Sequence, residues 1–368
     1  MLRNSRRAAW MLAFLTLLSL FSVGALGCGS ESADAPQKSK ALFDPDVPRE
    51  DTPEAIDAEL SERFQKTKKA AAKMFSEEAG RKVLTHKYGK TVLPEKPQRI
   101  AVVGLEDTAI SMGLPIVAAH VAKSSYLYEK FQSLDITNIS INADTKTINL
   151  EEVQAVQPDL ILLRDSYDKN AYNALSKIAP VAPFNLQKEE TAVLAAAEAA
   201  DRPELGERRL KEYYERVKAA RMRIKGVIGD DTVVFLRILK KDVRLYPYSV
   251  NSTNSFMYEL LNLRPDPMVV ALDTTKNNMA ISMESLPELK ADYIAISSGY
   301  GANNANSQAA AEKRYEELRA DPLWHTLPAV RKGHVLDVDS LIWNAHGLIA
   351  KELAIDDLDR WLGGEKQP

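Results

Sequence analysis

From residue 81 onward, short apolar runs alternate with amphipathic ones: RIAVVGL with DTAISMGL, DLILL with KNAYNALSKIA, TVVFLRIL with NSFMYELLNL, and DYIAI with EKRYEELRA. The first of each pair has the unbroken apolar character of a strand buried on both faces, and the second has helical spacing. Strict alternation of the two predicts parallel sheets covered by helices on both sides. One helix–strand unit occurs twice: residues 149–163 (NLEEVQAVQPDLILL) align without a gap on residues 282–296 (SMESLPELKADYIAI). Each copy opens on an N-capping residue, Asn149 or Ser282, and has an acid two positions later, Glu151 or Glu284. A second acid, Asp159 or Asp292, precedes the strand. Capping groups satisfy free helix amides, and early acids suit the positive helix end. Two similar α/β lobes are therefore expected. Between them, residues 202–228 place Leu205, Leu210, Tyr213, Tyr214, Val217, Met222 and Ile224 on one helical face and charges on the other. A helix of about 20 residues spans ~30 Å, enough to link one lobe to the other stiffly.

Ahead of this body the pattern changes. Residues 54–78 are rich in helix formers, with a thin apolar stripe of Ile56, Leu60, Phe64 and Met74. Residues 29–53 are rich in Ser, Asp, Pro and Lys, as in a solvated tether. Earlier still, Arg3, Arg6 and Arg7 precede an apolar run, residues 8–23, and small residues lead to Cys28, the single cysteine. This is the layout of a secretory signal peptide. Ala25-Leu26-Gly27-Cys28 resembles a bacterial lipoprotein lipobox, in which lipid is attached to the cysteine and the chain is cut before it. The box departs from the usual Leu at its first position and small residue at its second. An uncleaved anchor is an alternative, although its apolar run is short against the ~20 residues of a spanning helix. An ordinary signal peptide with an incidental cysteine is another. The resulting organisation is a signal peptide at 1–27, a tether and helical spacer at 28–80, an N-terminal lobe at 81–201, a linker helix at 202–228 and a C-terminal lobe at 229–368.

Charge narrows the function. The chain carries 48 basic and 51 acidic residues, a net of −3, and residues 1–27 hold three arginines and no acid, so cleavage leaves −6. A nucleic-acid binder would show a basic excess. There is no G-x-S-x-G, phosphate loop or nucleotide fingerprint, which speaks against an enzyme. The five histidines, His86, His120, His325, His334 and His346, show no chelating spacing, so neither a bare metal site nor a resident cofactor is expected.

Several stretches, in this order, resemble the iron–siderophore group of ABC-transporter substrate-binding proteins: VLPEKPQRIAVVGLEDTAISMGLPIVAA, INLEEVQAVQPDLILL, LSKIAPVAPF, NSFMYELLNL, ISMESLPEL and DPLWHTLPAVRKGHVLDVDSLIW. The resemblance covers about residues 83–363. It implies two Rossmann-like α/β lobes joined by a single long helix, with a ligand cleft between them, as in class III substrate-binding proteins. It also implies a monomeric lipoprotein, anchored to the cell membrane on its extracytoplasmic face, that delivers a ferric siderophore to an ABC permease. Haem, cobalamin or another metal chelate in the same fold is the alternative.

A ferric siderophore arrives already wrapped in oxygen donors and is often anionic, so cationic and aromatic side chains are the expected contacts. Arg164 follows the strand DLILL, Arg237 lies within VVFLRILK, and Arg244 precedes LYPYS. Tyr246 and Tyr248 alternate around Pro247 and can share one side of an extended segment. Trp343 matches a family position that often lines the cleft, with Tyr126, Tyr128 and Tyr167 as lesser candidates. A structural ion pair for Arg237, solvated loop charges for the other arginines and core packing for the aromatics remain the competing roles. The resemblance further implies one carboxylate per lobe docking to permease arginines. Glu284 matches the second-lobe motif. For the first lobe Asp168 and Glu151 are both candidates, because the usual Glu after DLILL is missing. All three would equally serve as helix-start acids.

Overall fold

The computed structural model describes residues 49–142, 145–249, 251–299 and 305–363. The expected signal peptide, Cys28 and the expected tether up to residue 48 lie outside them. Among the described residues no helix is long and apolar enough to cross a membrane.

Helix α1 (Pro53–Ala72) starts at the capping residue Thr52, whose hydroxyl accepts from the Ala55 amide. The expected stripe is its buried face: Ile56, Leu60 and Phe64, joined by Thr67 and Ala71. The helix does not reach Glu78 as its composition suggested. Residues 75–78 instead form β1 (Phe75–Glu78), which pairs antiparallel with β2 (Arg81–His86) and through it with β3 (Gly89–Val92). The turn at Ala79 and Gly80, both at positive φ, makes that hairpin and ends any helical continuation.

The N-terminal lobe has five parallel strands: β4 (Ile100–Val103), β5 (Ile116–Ala119), β6 (Thr137–Asn138), β7 (Leu160–Arg164) and β8 (Val181–Phe184), in the order β6-β5-β4-β7-β8. Helices α2 (Glu106–Met112), α3 (Leu150–Ala155), α4 (Lys169–Leu175) and α5 (Glu189–Ala199) connect and cover them. Every residue of β4 and β8 is buried, the reason these strands read as unbroken apolar runs.

Helix α6 (Pro203–Ile228) joins the lobes. Its 26 residues make a rod about 39 Å long. Leu210, Tyr213, Tyr214, Val217 and Ile224 are buried as expected, whereas Met222 faces solvent. Arg221 takes a core place instead, fully buried and paired with Asp51 at 2.6 Å and Glu59 at 3.0 Å. α1 lies along α5 and α6.

In the C-terminal lobe β9 (Thr232–Ile238), β13 (Tyr293–Ser298) and β14 (Val335–Asp337) are parallel, and β11 (Arg264–Pro265) adds to β9. This sheet is not purely parallel, contrary to the alternation pattern. β10 (Val243–Leu245) turns back antiparallel on β9, and β12 (Met279–Ile281) pairs antiparallel with β10. The chain closes with α7 (Leu348–Leu362), which packs on α6 and α2.

The internal repeat has a structural basis. Asp159 accepts from the amides of Gln98 (2.7 Å) and Arg99 (3.0 Å), just before β4. Asp292 likewise accepts from the Thr232 amide at 3.0 Å, at the start of β9. In both lobes the acid before one central strand ties down the start of its neighbour. The helix of the repeat is kept only once. Residues 149–155 form a cap and α3, but the second copy becomes a turn and a 3₁₀ segment, Leu286–Glu288, because Pro287 lacks the amide a longer helix needs.

Candidate ligand-binding site

In open α/β sheets ligands sit outside the carboxyl ends of the strands, where the strand order reverses. In the N-terminal lobe that point lies between β4 and β7, at Gly104 and Arg164. Gly104 has φ +79, and a Cβ there would lie 2.7 Å from the Arg164 Cβ and 3.4 Å from Cε2 of Tyr167. Its bare Cα is what lets the half-buried Arg164 lie across the strand end. The Glu106 carboxylate accepts from the Gly104 amide at 2.8 Å. Burial raises its pKa to about 7, against the opposing pull of the Gly104, Glu106 and His120 amides and of Arg164. Burial, and the nearby Glu106, also push the Tyr167 phenol up to about 12. Among the described residues the Arg164 side chain forms no hydrogen bond or ion pair.

In the C-terminal lobe Arg237 and Arg244 are direct register partners across β9 and β10, so their side chains leave the same face. Arg237 Nε donates to the Gly299 carbonyl at 2.9 Å, and Arg244 bonds Asp242 at 2.9 and 3.3 Å. Two cations placed opposite one another repel unless anions share the site.

The aromatic candidates divide. Tyr248 is half-buried at the edge of the core, whereas Tyr246 is 8% exposed and stacks on Phe235 with ring centres 6.2 Å apart. The two tyrosines therefore do not share an exposed side. Trp343 is a correction. It has no exposed surface, stacks on Phe235 with ring centres 6.1 Å apart, and donates its indole N–H to Asp357 at 2.9 Å. It is a core residue of its lobe and does not line a cleft. Tyr126 donates to Asp107 at 2.9 Å, and Tyr128 lies partly buried at the core edge.

Glu284 is exposed in the turn after β12, and Glu151 is exposed in the first turn of α3. Asp168, also exposed, caps α4 by accepting from the Ala171 amide at 2.8 Å.

A polar junction between the lobes has no distinctive signature in the sequence. Asp107 of α2 is buried and accepts from the amides of Ile349 (3.1 Å) and Ala350 (3.0 Å) at the start of α7. It is the helix cap that Gly347, without a side chain, does not supply. Gly347 has φ +130, and a Cβ there would come within 2.2 Å of the Asp107 carboxyl carbon. Burial raises the Asp107 pKa to about 6 despite these donors. Alongside, Glu189 of α5 bonds Ser252, lies 3.3 Å from His346 Nδ1 and 3.9 Å from the Lys351 ammonium. Burial alone would raise the Glu189 pKa, but Lys351, His346 and Ser252 outweigh it and leave it lowered. The only signals for these residues were acids at helix starts, a pattern shared with exposed positions.

A cavity of about 370 Å³ opens between α1, the start of α5 and the π-helical turn Ser255–Leu260. Its chief cation, Arg63, is bonded to Glu190 at 2.8 Å and Glu259 at 3.1 Å. That neutralised pocket is a poorer anion site than the strand ends. Among the described residues no three or more His, Cys, Asp or Glu side chains converge as metal ligands.

The periplasmic binding protein family model matches residues 100–341. The chain is 26% identical over 283 residues to a Bacillus subtilis protein named "Probable siderophore-binding lipoprotein YfiY", covering 73% of this chain and 83% of that one. It is 23% identical to the Fe(3+)-citrate-binding protein YfmC of the same organism, covering 77% and 86%. Among solved structures it is similar to Staphylococcus aureus SirA complexed with staphyloferrin B, at 26% identity and a TM-score of 0.66, covering 77% of this chain and 99% of that one.

Proposed function

The chain belongs to the periplasmic binding protein family, and on that premise we propose that it captures an anionic ferric siderophore outside the cytoplasm and delivers it to an ABC permease. The observation that carries this reading is Arg164: a half-buried cation, without an ion pair among the described residues, at the strand-order reversal of its lobe. Arg237 and Arg244 supply positive charge from the other lobe, and Tyr248 and Tyr167 supply apolar surface beside it. Planar guanidinium forks suit the paired oxygens of a carboxylate or catecholate shell. The iron comes already chelated, so it is cargo, and the chain needs neither a resident cofactor nor a catalytic group. A relative named as a siderophore-binding lipoprotein supports the same reading of Cys28 as the point of lipid attachment. The protein then works as a membrane-anchored monomer, with Glu284 on one lobe and Glu151 or Asp168 on the other meeting the permease.

Isothermal titration against ferric citrate, a ferric catecholate, a ferric hydroxamate, haem and cobalamin tests the cargo. Tight binding of an anionic ferric chelate is expected, with Arg164→Ala weakening it at least tenfold, about 1.4 kcal/mol or more, and leaving the thermal midpoint unchanged. Binding of haem or cobalamin alone would replace this reading with the other chelate class.

A further inference from the structure

Arg164 and Glu106 lie close together at the strand ends without forming a salt bridge. The two side chains meet at Gly104: the Arg164 stem lies over its Cα, and the Glu106 carboxylate takes its amide hydrogen at 2.8 Å. Glu106 is thus held by backbone amides while its charge acts on a guanidinium it does not bond. An anionic chelate that docks on Arg164 approaches this carboxylate too. Two negative groups sharing one partly buried cation cannot both keep their charge cheaply.

We infer that Glu106 is a positioning residue that takes up a proton from solvent when an anionic chelate binds Arg164 and gives it back on release, making capture of anionic cargo proton-coupled. The inference rests on the cargo reading above. The other groups facing Glu106 do not substitute for it. On the β7 side these are Arg164 itself and Tyr167, whose phenol stays protonated near neutral pH. From the segment between β5 and β6 comes Tyr126, also held protonated by burial and by the nearby Asp107, Glu189 and Glu106 carboxylates. His120 presents its amide, and its ring Nδ1 lies 2.7 Å from the Ile139 carbonyl. Asp107 is committed to the α7 amides, and Glu189, His346 and Lys351 lie beyond it. Among the described residues, only Glu106 is both amide-anchored and beside Arg164. Its raised value of about 7 places the exchange in the neutral range.

The sign follows. Below pH 7 Glu106 is already neutral and affinity is flat. Above pH 7 the free protein must gain a proton on binding, so the dissociation constant for ferric citrate rises, up to about tenfold per pH unit. A neutral ferric trihydroxamate has no such dependence. Glutamine keeps the acceptor for the Gly104 amide, so Glu106→Gln is expected to fold, and its affinity for ferric citrate is expected to be flat from pH 6 to 8 and to exceed the wild type at pH 8.

Two measurements on the full chain decide it. Carbon-13 NMR of the ligand-free protein should show one glutamate carboxyl titrating near pH 7 that disappears in Glu106→Gln; all glutamates titrating in the ordinary range overturns the inference without any ligand. Calorimetry with ferric citrate in two buffers of different ionisation enthalpy should count about one proton taken up at pH 8 by the wild type and none by the variant. If ferric citrate binds with the same constant from pH 6 to 8 in both proteins, the cargo reading stands and the proton coupling is wrong. If no ferric chelate binds at any pH, both fall together.

Discussion

At Gly104 a missing side chain sets how close a charge comes to the crevice. A methyl group there would strain a backbone at φ +79 and press on the Arg164 Cβ at 2.7 Å. The left-handed conformation alone costs a non-glycine residue roughly 1–2 kcal/mol. Gly104→Ala is therefore expected to lower stability by about 2 kcal/mol in urea unfolding and to weaken ferric chelate binding about tenfold by displacing the guanidinium. Wild-type affinity in the folded variant would show that the arginine reaches its ligand from elsewhere. Trp343 is the opposite case. Its position in the sequence suggested a wall of the cleft, yet an indole with no exposed surface and a bond to Asp357 supports the lobe from within. An aromatic side chain fills core and crevice equally well, so residue type alone could not separate Tyr246 and Trp343 from Tyr248. Arginine at a strand end is less ambiguous, because burial without a partner is expensive. Arg164 does lie partly buried at the end of β7, as its place after DLILL suggested, whereas the surroundings of the aromatics could not be read from residue type.

Among the elements, the parts readable in advance were those with local causes. The capping residue, the pre-strand acid and the apolar run recur in both lobes, and Asp159 and Asp292 make matching bonds to the neighbouring strand start. The parts that were not readable depend on distant partners. β10 and β12 are three residues each, too short to show alternation, and only their pairing makes the sheet mixed. Asp107 looks like any helix-start acid until α7, more than two hundred residues later, brings two amides to it. This junction has a pH signature. The Asp107 pKa is raised from 3.8 to about 6, so its contribution to stability is fully present below pH 3.8 and is lost as pH rises through 6. The loss amounts to about 3 kcal/mol. Glu189, lowered in the folded state, acts in the opposite sense, so the readout is a difference. Urea unfolding at pH 4, 5, 6 and 7 should show the stability of the wild type falling relative to Asp107→Asn by up to that amount. A constant gap between the two proteins would remove Asp107 from the account.

For the molecule as a whole, the question is how far the lobes move when cargo enters. The long helix α6 is one restraint, and its single rod has no strand pair to bend as a hinge. Two others act beside it. The Asp107 cap and the Glu189–Lys351 contact tie α2 and α5 of one lobe to α7 of the other. α1 adds a brace outside the rod: Arg63 bonds Glu190 of the first lobe and Glu259 of the second, while Arg49 donates to the Tyr258 and Glu259 carbonyls. Each link is partly or fully buried, so opening the lobes breaks hydrogen bonds to charged groups, a net cost of about 1.5–3 kcal/mol apiece. A ligand can shift the lobes only by as much as it prefers one arrangement, so a moderate affinity leaves them nearly where they are. Spin labels at the exposed positions Gln154 and Lys290, in a Cys28→Ser background, measure this directly. The interlobe distance is expected to change by less than about 2 Å on adding ferric chelate, the range of a preorganised site. In Arg63→Ala combined with Asp107→Ala the distribution should broaden and become ligand-sensitive, because the α1 brace and the α7 cap are then both weakened. A large ligand-driven change in the unaltered protein would mean that the brace and the cap yield on binding, and that the crevice is assembled by its cargo.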